Sequence, residues 1–461
     1  MGSGNYDVVI VGAGPAGIFA ALTLAEESDL EVAVLERGPD MTKRRCPRRE
    51  KGVACTQHRP CALVSGWGGA GAYSDGKLNL SVDIGGHLGE YVGRARAEEL
   101  IEEVDRTYLR FGAPEEVFGE DQGFIEELQS RAVRAELELL TARIRHLGTE
   151  RCPRLLARMR EALPARVHVF TNAAAEELLV QDGTVVGVRG EGRELLAPAV
   201  IVAPGRSGAA WLMEQASNLG LGMGHSPVDV GVRVEVPAAV MDSLAEQLYE
   251  VKLRYFSKSF DSLVRTFCMC PRGEVVTEHH EGIVTVNGHS YRDRRTDQTN
   301  FAVLVSSSFT EPFDQPIAYG QYIARLANLL GEGVLVQRLV DLRAGRRSTH
   351  HRLEHSTIRP SLEEATPGDL SFVLPHRHLA SILEMLEAME ALAPGVAGRY
   401  TLLYGVEAKY YSSRVQVSAD LETQVKGLFA IGDGAGITRG LVQASASGIV
   451  AARAIIARAS E

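Results

Sequence analysis

The chain has 461 residues, of which 45% are apolar and 23% charged, and its formal net charge is −10. This length and composition predict a globular protein of two or three domains, and the negative charge argues against nucleic acid as a partner. No apolar run approaches the roughly 20 residues that span a bilayer, and no signal peptide precedes the first predicted strand, so we expect a cytoplasmic protein with no membrane partner.

The chain opens on a strand–turn–helix unit that is typical of dinucleotide sites. Residues 6–11 predict a buried parallel strand, residues 18–25 a helix, and residues 31–35 a second strand that ends at Glu36. The turn has the G-x-G-x-x-G spacing, which brings a helix N-terminus to a pyrophosphate, and the acid is placed to bind a ribose. The predicted contacts are Gly12, Gly14, Pro15, Ala16, Gly17, Glu36 and Arg37.

A cysteine cluster follows within sixteen residues. Cys46, Cys55, His58 and Cys61 could supply a tetrahedral zinc site, or less readily an iron–sulfur cluster. Cys55 and Cys61 could instead form a redox disulfide, and all of these cysteines could be reduced and unligated in an ordered loop. The spacing leaves these alternatives open.

Six cations surround the cysteines in an otherwise acidic chain. A run of this kind is either a solvated surface or a docking patch for an acidic electron donor such as ferredoxin, or for a phosphorylated substrate. Its members are Lys43, Arg44, Arg45, Arg48, Arg49 and Lys51.

Two later segments indicate which dinucleotide binds. Residues 427–456 predict a strand, a tight turn and a long helix of small residues, and they resemble the second FAD motif of the glutathione reductase-like flavoproteins. Residues 194–208 resemble the strand and turn that close the nucleotide domain of the same proteins. The resemblance implies FAD, with contacts from Ala203, Gly205, Gly432, Asp433, Gly440, Leu441 and Val442. No second strand–GxGxxG–helix unit is present, so we expect no separate NAD(P)H domain.

Residues 64–80, 229–237, 404–409 and 432–440 resemble an uncharacterised family of FAD-dependent dehydrogenases within that superfamily. The resemblance implies a flavoprotein oxidoreductase and names no substrate. It places the glycine-rich loop against the dinucleotide, with contacts from Gly68, Gly69 and Ala70. It also gives a candidate catalytic set, in which Lys77 lies near the flavin, Glu407 acts as acid or base and Tyr404 donates a proton beside Lys409. The alternatives are that Lys77 is a solvated loop lysine and that Glu407 and Lys409 form a structural ion pair.

The remaining patterns predict the other elements. Residues 84–160 indicate helices and residues 165–202 a β meander with a hairpin turn at Asp182-Gly183. Residues 229–310 indicate strands with another turn at Asn287-Gly288, followed by helices over 316–331 and 376–393. Cys268 and Cys270 alternate on a predicted strand, so we expect both on one face, in the core.

We therefore predict an α/β fold, with a discontinuous glutathione reductase-like Rossmann FAD-binding domain and an inserted α+β substrate domain. Three segments of the chain, 1–83, 165–228 and 395–461, are predicted to build the FAD-binding domain. Residues 84–164 are predicted to form a helical insertion, and residues 229–394 the substrate domain.

The predicted function is that of an FAD-dependent oxidoreductase, either a dehydrogenase or a reductase. It would transfer a hydride between a small-molecule substrate and flavin N5, with NAD(P)H or a ferredoxin-type protein as a partner. The alternatives are a monooxygenase that uses NADPH and oxygen, and a non-catalytic flavin electron carrier that docks a protein partner.

Overall fold

The computed structural model describes residues 4–47, 59–224, 227–280, 282–290, 295–309, 312–313, 315–410 and 414–460. The chain forms two compact units. Unit 1 comprises residues 1–116, 145–225 and 412–461, and unit 2 comprises residues 117–144 and 226–411.

The strands, in chain order, are β1 (Gly4–Asn5), β2 (Val8–Val11), β3 (Val32–Glu36), β4 (Lys77–Leu80), β5 (Leu137–Leu140), β6 (Arg143–His146), β7 (Val167–Thr171), β8 (Glu177–Gln181), β9 (Thr184–Gly190), β10 (Arg193–Leu196), β11 (Ala199–Val202), β12 (Met223–Gly224), β13 (Val228–Pro237), β14 (Lys252–Phe256), β15 (Leu263–Cys270), β16 (Glu274–His280), β17 (Ile283–His289), β18 (Gln298–Ser307), β19 (Leu335–Arg338), β20 (Thr366–Pro367), β21 (Leu402–Lys409), β22 (Arg414–Val415) and β23 (Leu428–Ala430).

The α-helices are α1 (Pro15–Glu27), α2 (Leu88–Val92), α3 (Arg94–Arg110), α4 (Gln122–Arg134), α5 (Cys152–Glu161), α6 (Ala209–Asn218), α7 (Ala238–Leu248), α8 (Pro316–Gly331), α9 (Leu339–Arg343), α10 (His350–Glu354), α11 (His376–Met389) and α12 (Leu441–Ala459). Short 3₁₀ helices cover Met41–Lys43, Gly69–Tyr73, Arg206–Gly208, Leu370–Phe372 and Asp433–Ala435.

Unit 1 is built on a parallel five-stranded sheet in the order β23-β11-β2-β3-β7. Strands β2, β3, β11 and β23 are apolar and buried over nearly their whole length, as strands covered on both faces must be. Helices α1 and α12 pack so closely that a Cβ on Gly448 would lie 2.1 Å from the carbonyl oxygen of Ala16. The predicted Rossmann architecture is confirmed in this unit.

A second sheet of unit 1 has the order β1-β10-β9-β8. Its strands β8 and β9 are antiparallel and are joined at Asp182-Gly183, where both residues have positive φ (49° and 73°). The structure therefore has the hairpin turn where the sequence predicts it.

Unit 2 is built on an eight-stranded sheet in the order β20-β19-β21-β13-β18-β15-β14-β5. Strand β13 pairs antiparallel with β18 along its whole length, and with β21 on its other side. Its alternate valines join the separate hydrophobic core of this unit, together with apolar residues of α7 and α11. The predicted helices over 316–331 and 376–393 correspond to α8 and α11.

Three local predictions are wrong. Residues 137–146 are not helical but form β5 and β6, because β5 pairs with β14 more than a hundred residues later in the chain. Asn287 and Gly288 lie inside β17, which pairs with β16, and not in a turn. Cys268 has φ +40° at an irregularity in β15, so regular alternation stops there; Cys270 is buried but Cys268 is only partly so.

The sequence predicts no apolar run of membrane-spanning length, but among the residues that the structure describes one helix is long and apolar enough to cross a membrane by length and composition. It is α12, with a mean hydropathy of 1.2, and 67% of its most apolar 18-residue window is buried. This helix is a core element of unit 1.

Candidate functional site

The glycine turn after β2 combines two crowded positions with one open position. A Cβ on Gly12 would lie 2.2 Å from the carbonyl oxygen of Ala203, and a Cβ on Gly17 would lie 1.9 Å from the carbonyl oxygen of Gly12. A Cβ on Gly14 would meet no atom within 4 Å. Gly14 is the N-cap of α1, whose first residue is Pro15, so the open space lies at a helix N-terminus that favours an anion.

Glu36 is the last residue of β3, and its carboxylate organises the surrounding loops. It accepts hydrogen bonds from the backbone N–H groups of Ala13 (2.9 Å), Gly38 (2.8 Å) and Gly66 (2.8 Å). An ionised carboxylate has about four acceptor positions, so one is left for a ribose hydroxyl. The neighbouring Arg37 donates two bonds to Ser65 Oγ, at 3.0 and 2.9 Å.

The glycine-rich loop, residues 66–71, lies directly against this turn. The N–H of Gly68 donates to the carbonyl oxygen of Ala13 (2.7 Å), and a Cβ on Gly69 would lie 3.1 Å from Cα of Gly14. A Cβ on Gly71 would lie 2.7 Å from a methyl carbon of Leu441, the first residue of α12. This loop, which includes Ala70, therefore lies beside the N-termini of both α1 and α12.

The C-terminal motif forms a second turn at the same place. A Cβ on Gly432 would lie 3.1 Å from Cβ of Ala16 in α1. Asp433 Oδ1 accepts bonds from Thr438 Oγ1 (2.8 Å) and from the N–H of Gly440 (3.1 Å), which is the N-cap of α12. Burial raises the pKa of Asp433, against the opposing effect of the Arg206 charge 3.9 Å away.

The turn after β11, at Ala203 and Gly205, is the third motif of the site. The N–H of Ala203 donates to Val11 at the end of β2 (2.7 Å), and Gly205 has φ +63° with open space where a Cβ would stand. All the predicted cofactor-binding residues thus lie in unit 1, and turns from three distant stretches of the sequence contact one another there. Val442 continues α12 behind Leu441 and is buried.

The residues fit FAD. The N-terminus of α1 carries partial positive charge beside open space, which suits the phosphates, and Glu36 and Asp433 offer carboxylate acceptors for hydroxyl groups. No side chain at Gly14 or Gly205 obstructs the approach of a ligand to the backbone. The individual contacts that the sequence predicts remain predictions.

The four predicted catalytic residues are divided between the units. Lys77 lies in β4 of unit 1, where its ammonium group pairs with Asp75 at 3.1 Å and only 7% of its side chain is exposed. Tyr404, Glu407 and Lys409 all lie on β21 of unit 2.

Tyr404 and Glu407 are completely buried. The Tyr404 hydroxyl donates to Glu235 Oε2 at 2.5 Å, and burial raises the pKa of Tyr404 well above its usual value, with a further contribution from Glu235. Glu407 pairs with Arg233 at 3.1 Å and with Lys409 at 3.1 Å. Burial alone would lower the pKa of Lys409, but the charges of the nearby carboxylates outweigh it and raise that pKa.

The predicted cysteine site falls partly outside the described residues, because Cys55 and His58 lie there. Cys46 is partly buried and Cys61 exposed. Among the described residues, no group of three or more His, Cys, Asp or Glu side chains could hold a metal ion. A zinc or iron–sulfur site remains a prediction.

The sequence reasoning missed two kinds of structural residue. Gln443 is buried in α12 and donates to the carbonyl oxygens of Val82 (2.9 Å) and Ile84 (3.1 Å), which fixes that segment beside the helix N-terminus. Arg233 and Glu235 are buried side chains of β13 to which the sequence assigns no individual role. The three charged residues among the valines of β13, Asp229, Arg233 and Glu235, are a signal of a buried polar network, which could have been recognised.

Comparison with known proteins gives two family matches. Residues 6–122 match the family "Pyridine nucleotide-disulphide oxidoreductase", and residues 227–410 match the family "FAD-dependent protein, C-terminal domain-like". A protein of Clostridium beijerinckii, described as uncharacterized, is 29% identical over 473 residues, which cover 97% of this chain and 80% of the relative.

Solved structures show more distant similarity. A formate oxidase is 12% identical, with a TM-score of 0.47 over 100% of this chain and 99% of that one. The Escherichia coli quinol fumarate reductase subunit FrdA is 15% identical, with a TM-score of 0.43 over 100% of this chain and 71% of that one. A glycine oxidase from Bacillus cereus is 13% identical, with a TM-score of 0.37 over 98% and 95% of the two chains.

Proposed function

Starting from a chain that is an FAD-dependent oxidoreductase with a glutathione reductase-like FAD-binding domain, we propose that it transfers a hydride between a small-molecule substrate and flavin N5. The observation that carries the proposal is the meeting of two helix N-termini and the glycine-rich loop in unit 1. Bound FAD would supply N5 as the hydride donor or acceptor.

The residues of the chain would bind and orient the cofactor. The N-terminus of α1 would hold the phosphates, Glu36 a ribose and Asp433 hydroxyl groups of the ribityl chain. Lys77 is the predicted catalytic residue that shares a unit with these groups, and its positive charge would favour the reduced cofactor. The Tyr404 hydroxyl is engaged by Glu235 and the Glu407 carboxylate by Arg233. These contacts favour a role for both residues in holding other side chains of unit 2 in position.

A second candidate function is that of an electron carrier that docks an acidic protein donor. Lys43 and Arg45 are exposed on a chain whose net charge is −10, so they would attract such a donor. Arg44 between them is buried and cannot contribute to this surface.

The experiment that tests the proposal is anaerobic rapid mixing of the purified holoprotein with NADH, NADPH or reduced ferredoxin, each in a separate syringe. We expect a nicotinamide to bleach the visible flavin band, more slowly when the transferred hydrogen is replaced by deuterium. The variant Lys77→Met should slow this step about tenfold or more, because a preorganised charge is lost. Lys43→Met, which removes an exposed cation, should not.

Other outcomes would count against hydride transfer from a nicotinamide. Bleaching by ferredoxin alone, without a hydrogen isotope effect, would favour the electron carrier, and charge reversal at Lys43 and Arg45 should then lower the association rate and its salt dependence. NADPH-dependent oxygen consumption with an organic substrate would instead favour the monooxygenase.

A further inference from the structure

Arg44 differs from its neighbours in the cationic run. Lys43 and Arg45 are exposed, whereas Arg44 is only 4% exposed. A buried cation must replace its lost hydration with hydrogen bonds, so its partners indicate what it does.

The Arg44 guanidinium bonds to the main chain on the way into the glycine-rich loop. Its Nε donates to the carbonyl oxygen of Ala62 (2.9 Å), and its Nη1 donates to the carbonyl oxygen of Trp67 (2.7 Å). A Cβ on Gly66 would lie 2.7 Å from Cδ of Arg44, so the loop backbone also packs against the arginine side chain. Arg44 thus contacts the main chain both before the loop, at Ala62, and inside it, at Gly66 and Trp67.

Tyr73, two residues after the glycine-rich loop, completes the arrangement. The Arg44 guanidinium lies over the Tyr73 ring, 4.7 Å from its centroid, and the Tyr73 hydroxyl donates to the Arg44 carbonyl oxygen (3.1 Å). A cation over an aromatic ring is attracted to it, more so when both are removed from water. One arginine therefore connects the segments that precede and follow the glycine-rich loop.

The same loop also forms hydrogen bonds with residues of the predicted cofactor site. The N–H of Gly66 donates to Glu36 (2.8 Å), and the N–H of Gly68 donates to Ala13 (2.7 Å). Each bond starts within two residues of a carbonyl group that Arg44 holds. If the loop moved, the Glu36 carboxylate and the turn at Gly14 would lose these partners.

We propose that Arg44 is a positioning residue that holds the glycine-rich loop in the conformation that binds FAD, an inference that rests on the proposed cofactor site. Arg44 acts through the loop and through Glu36. The charge at residue 44 is therefore part of the cofactor site, while the charges at residues 43 and 45 belong to the surface.

The experiment compares Arg44→Met, Arg44→Lys and Tyr73→Phe with the matched control Arg45→Met, which removes an exposed arginine from the adjacent position. Apoprotein of each variant is titrated with FAD, the visible circular dichroism of the bound flavin is recorded, and the thermal midpoint of the apoprotein is measured. The circular dichroism reports the flavin environment, which a merely structural role of Arg44 would not alter.

We expect Arg44→Met to weaken FAD binding about tenfold or more and to change the visible spectrum, because carbonyl groups that it satisfied lose their partner. Arg44→Lys should restore part of the affinity, since an ammonium group can reach one carbonyl but lacks the fork of donors. Tyr73→Phe should show a smaller loss in the same direction. Arg45→Met should match the unmodified protein.

An unchanged FAD affinity and spectrum in Arg44→Met would overturn the inference, and so would equal losses in Arg44→Met and Arg45→Met. If Arg44→Met does not fold, an unchanged affinity in both Arg44→Lys and Tyr73→Phe would overturn it. Failure of the proposed function is distinguishable, because the unmodified protein would then bind FAD but show no hydride transfer.

Discussion

Arg233 and Glu407 form an ion pair, with 3.1 Å between Nη1 and Oε2, in which neither side chain is exposed to solvent. They stand on neighbouring strands of unit 2, β13 and β21. The remaining donors of the guanidinium bond to Asn300 Oδ1 (2.8 Å) and to the carbonyl oxygen of Cys268 (2.7 Å). Such a pair is costly to desolvate, and it is far more costly to break.

We predict that Arg233→Met or Glu407→Gln alone destabilises the protein by about 3–5 kcal/mol, because Glu407→Gln leaves the buried guanidinium without its ion-pair partner and Arg233→Met leaves Glu407 paired with Lys409 alone. Chemical denaturation of the whole protein, followed by circular dichroism, would measure the loss of stability. Arg399→Met, an exposed arginine of the same unit, should change stability by about 0.5 kcal/mol or less. A double variant as unstable as the sum of the single variants would contradict a direct interaction.

Gly14 and Gly17 should respond differently to the same methyl group. Gly14→Ala adds it to open space at φ −78°, so the apoprotein should keep its stability, while FAD affinity should fall because the methyl occupies the approach to the helix N-terminus. Gly17→Ala forces the methyl against the Gly12 carbonyl oxygen and should destabilise the apoprotein itself. Thermal unfolding of both apoproteins and FAD titration of Gly14→Ala would measure this. Undiminished FAD binding by Gly14→Ala would contradict the site.

His378 should make the protein less stable in mild acid. Burial, and then the charge of Arg377, lower its pKa from 6.5 to about 4, so the unfolded chain takes up a proton on this residue at a higher pH than the folded chain does. Stability should fall by roughly 3 kcal/mol as the pH decreases from 6.5 to 4. Denaturation curves across this range should show a flatter pH dependence for His378→Gln, while His350→Gln, at an exposed position, controls for loss of an imidazole. An equal slope in His378→Gln and the unmodified protein would refute the assignment.

Asp341 should contribute stability that is lost only in stronger acid. Burial alone would raise its pKa, but bonds from Arg338 Nε (2.8 Å), Ser348 Oγ (2.8 Å) and Arg346 Nε (2.9 Å) lower it to about 2. The folded chain therefore stays ionised where the unfolded chain is protonated, and roughly 2 kcal/mol should be lost as the pH falls from 4 to 2. Asp341→Asn should be less stable at pH 7, with a smaller dependence on pH in acid. The opposite slope would show that these bonds do not stabilise the carboxylate.

The cofactor unit could be predicted because each of its signals is local. The glycine turn needs a strand, a turn and a helix within about 30 residues, and the structure moves only the ends of the predicted elements, as with β2 and α1. Steric contacts explain the pattern directly, since Gly12 and Gly17 leave no room for a side chain.

Unit 2 was less predictable because contacts with residues distant in the sequence determine its local structure. Residues 137–146 have helical periodicity, but they form strands because β5 pairs with β14. Gly288 lies within β17; a Cβ there would lie 2.0 Å from Nη2 of Arg233, so the glycine makes room for a buried guanidinium. Burial of Arg44 among exposed cations has no counterpart in composition or spacing.

The close packing of α1 against α12 has a consequence for how the protein is made. The glycine turn and α1 are translated well before the edge strand β23 and before α12, the helix that packs on α1. Until then β2 and α1 expose apolar surface that a nascent chain must protect from misassociation. We expect FAD to bind only after β23 and α12 have been translated, so that a product that ends before them accumulates as a colourless, aggregation-prone apoprotein.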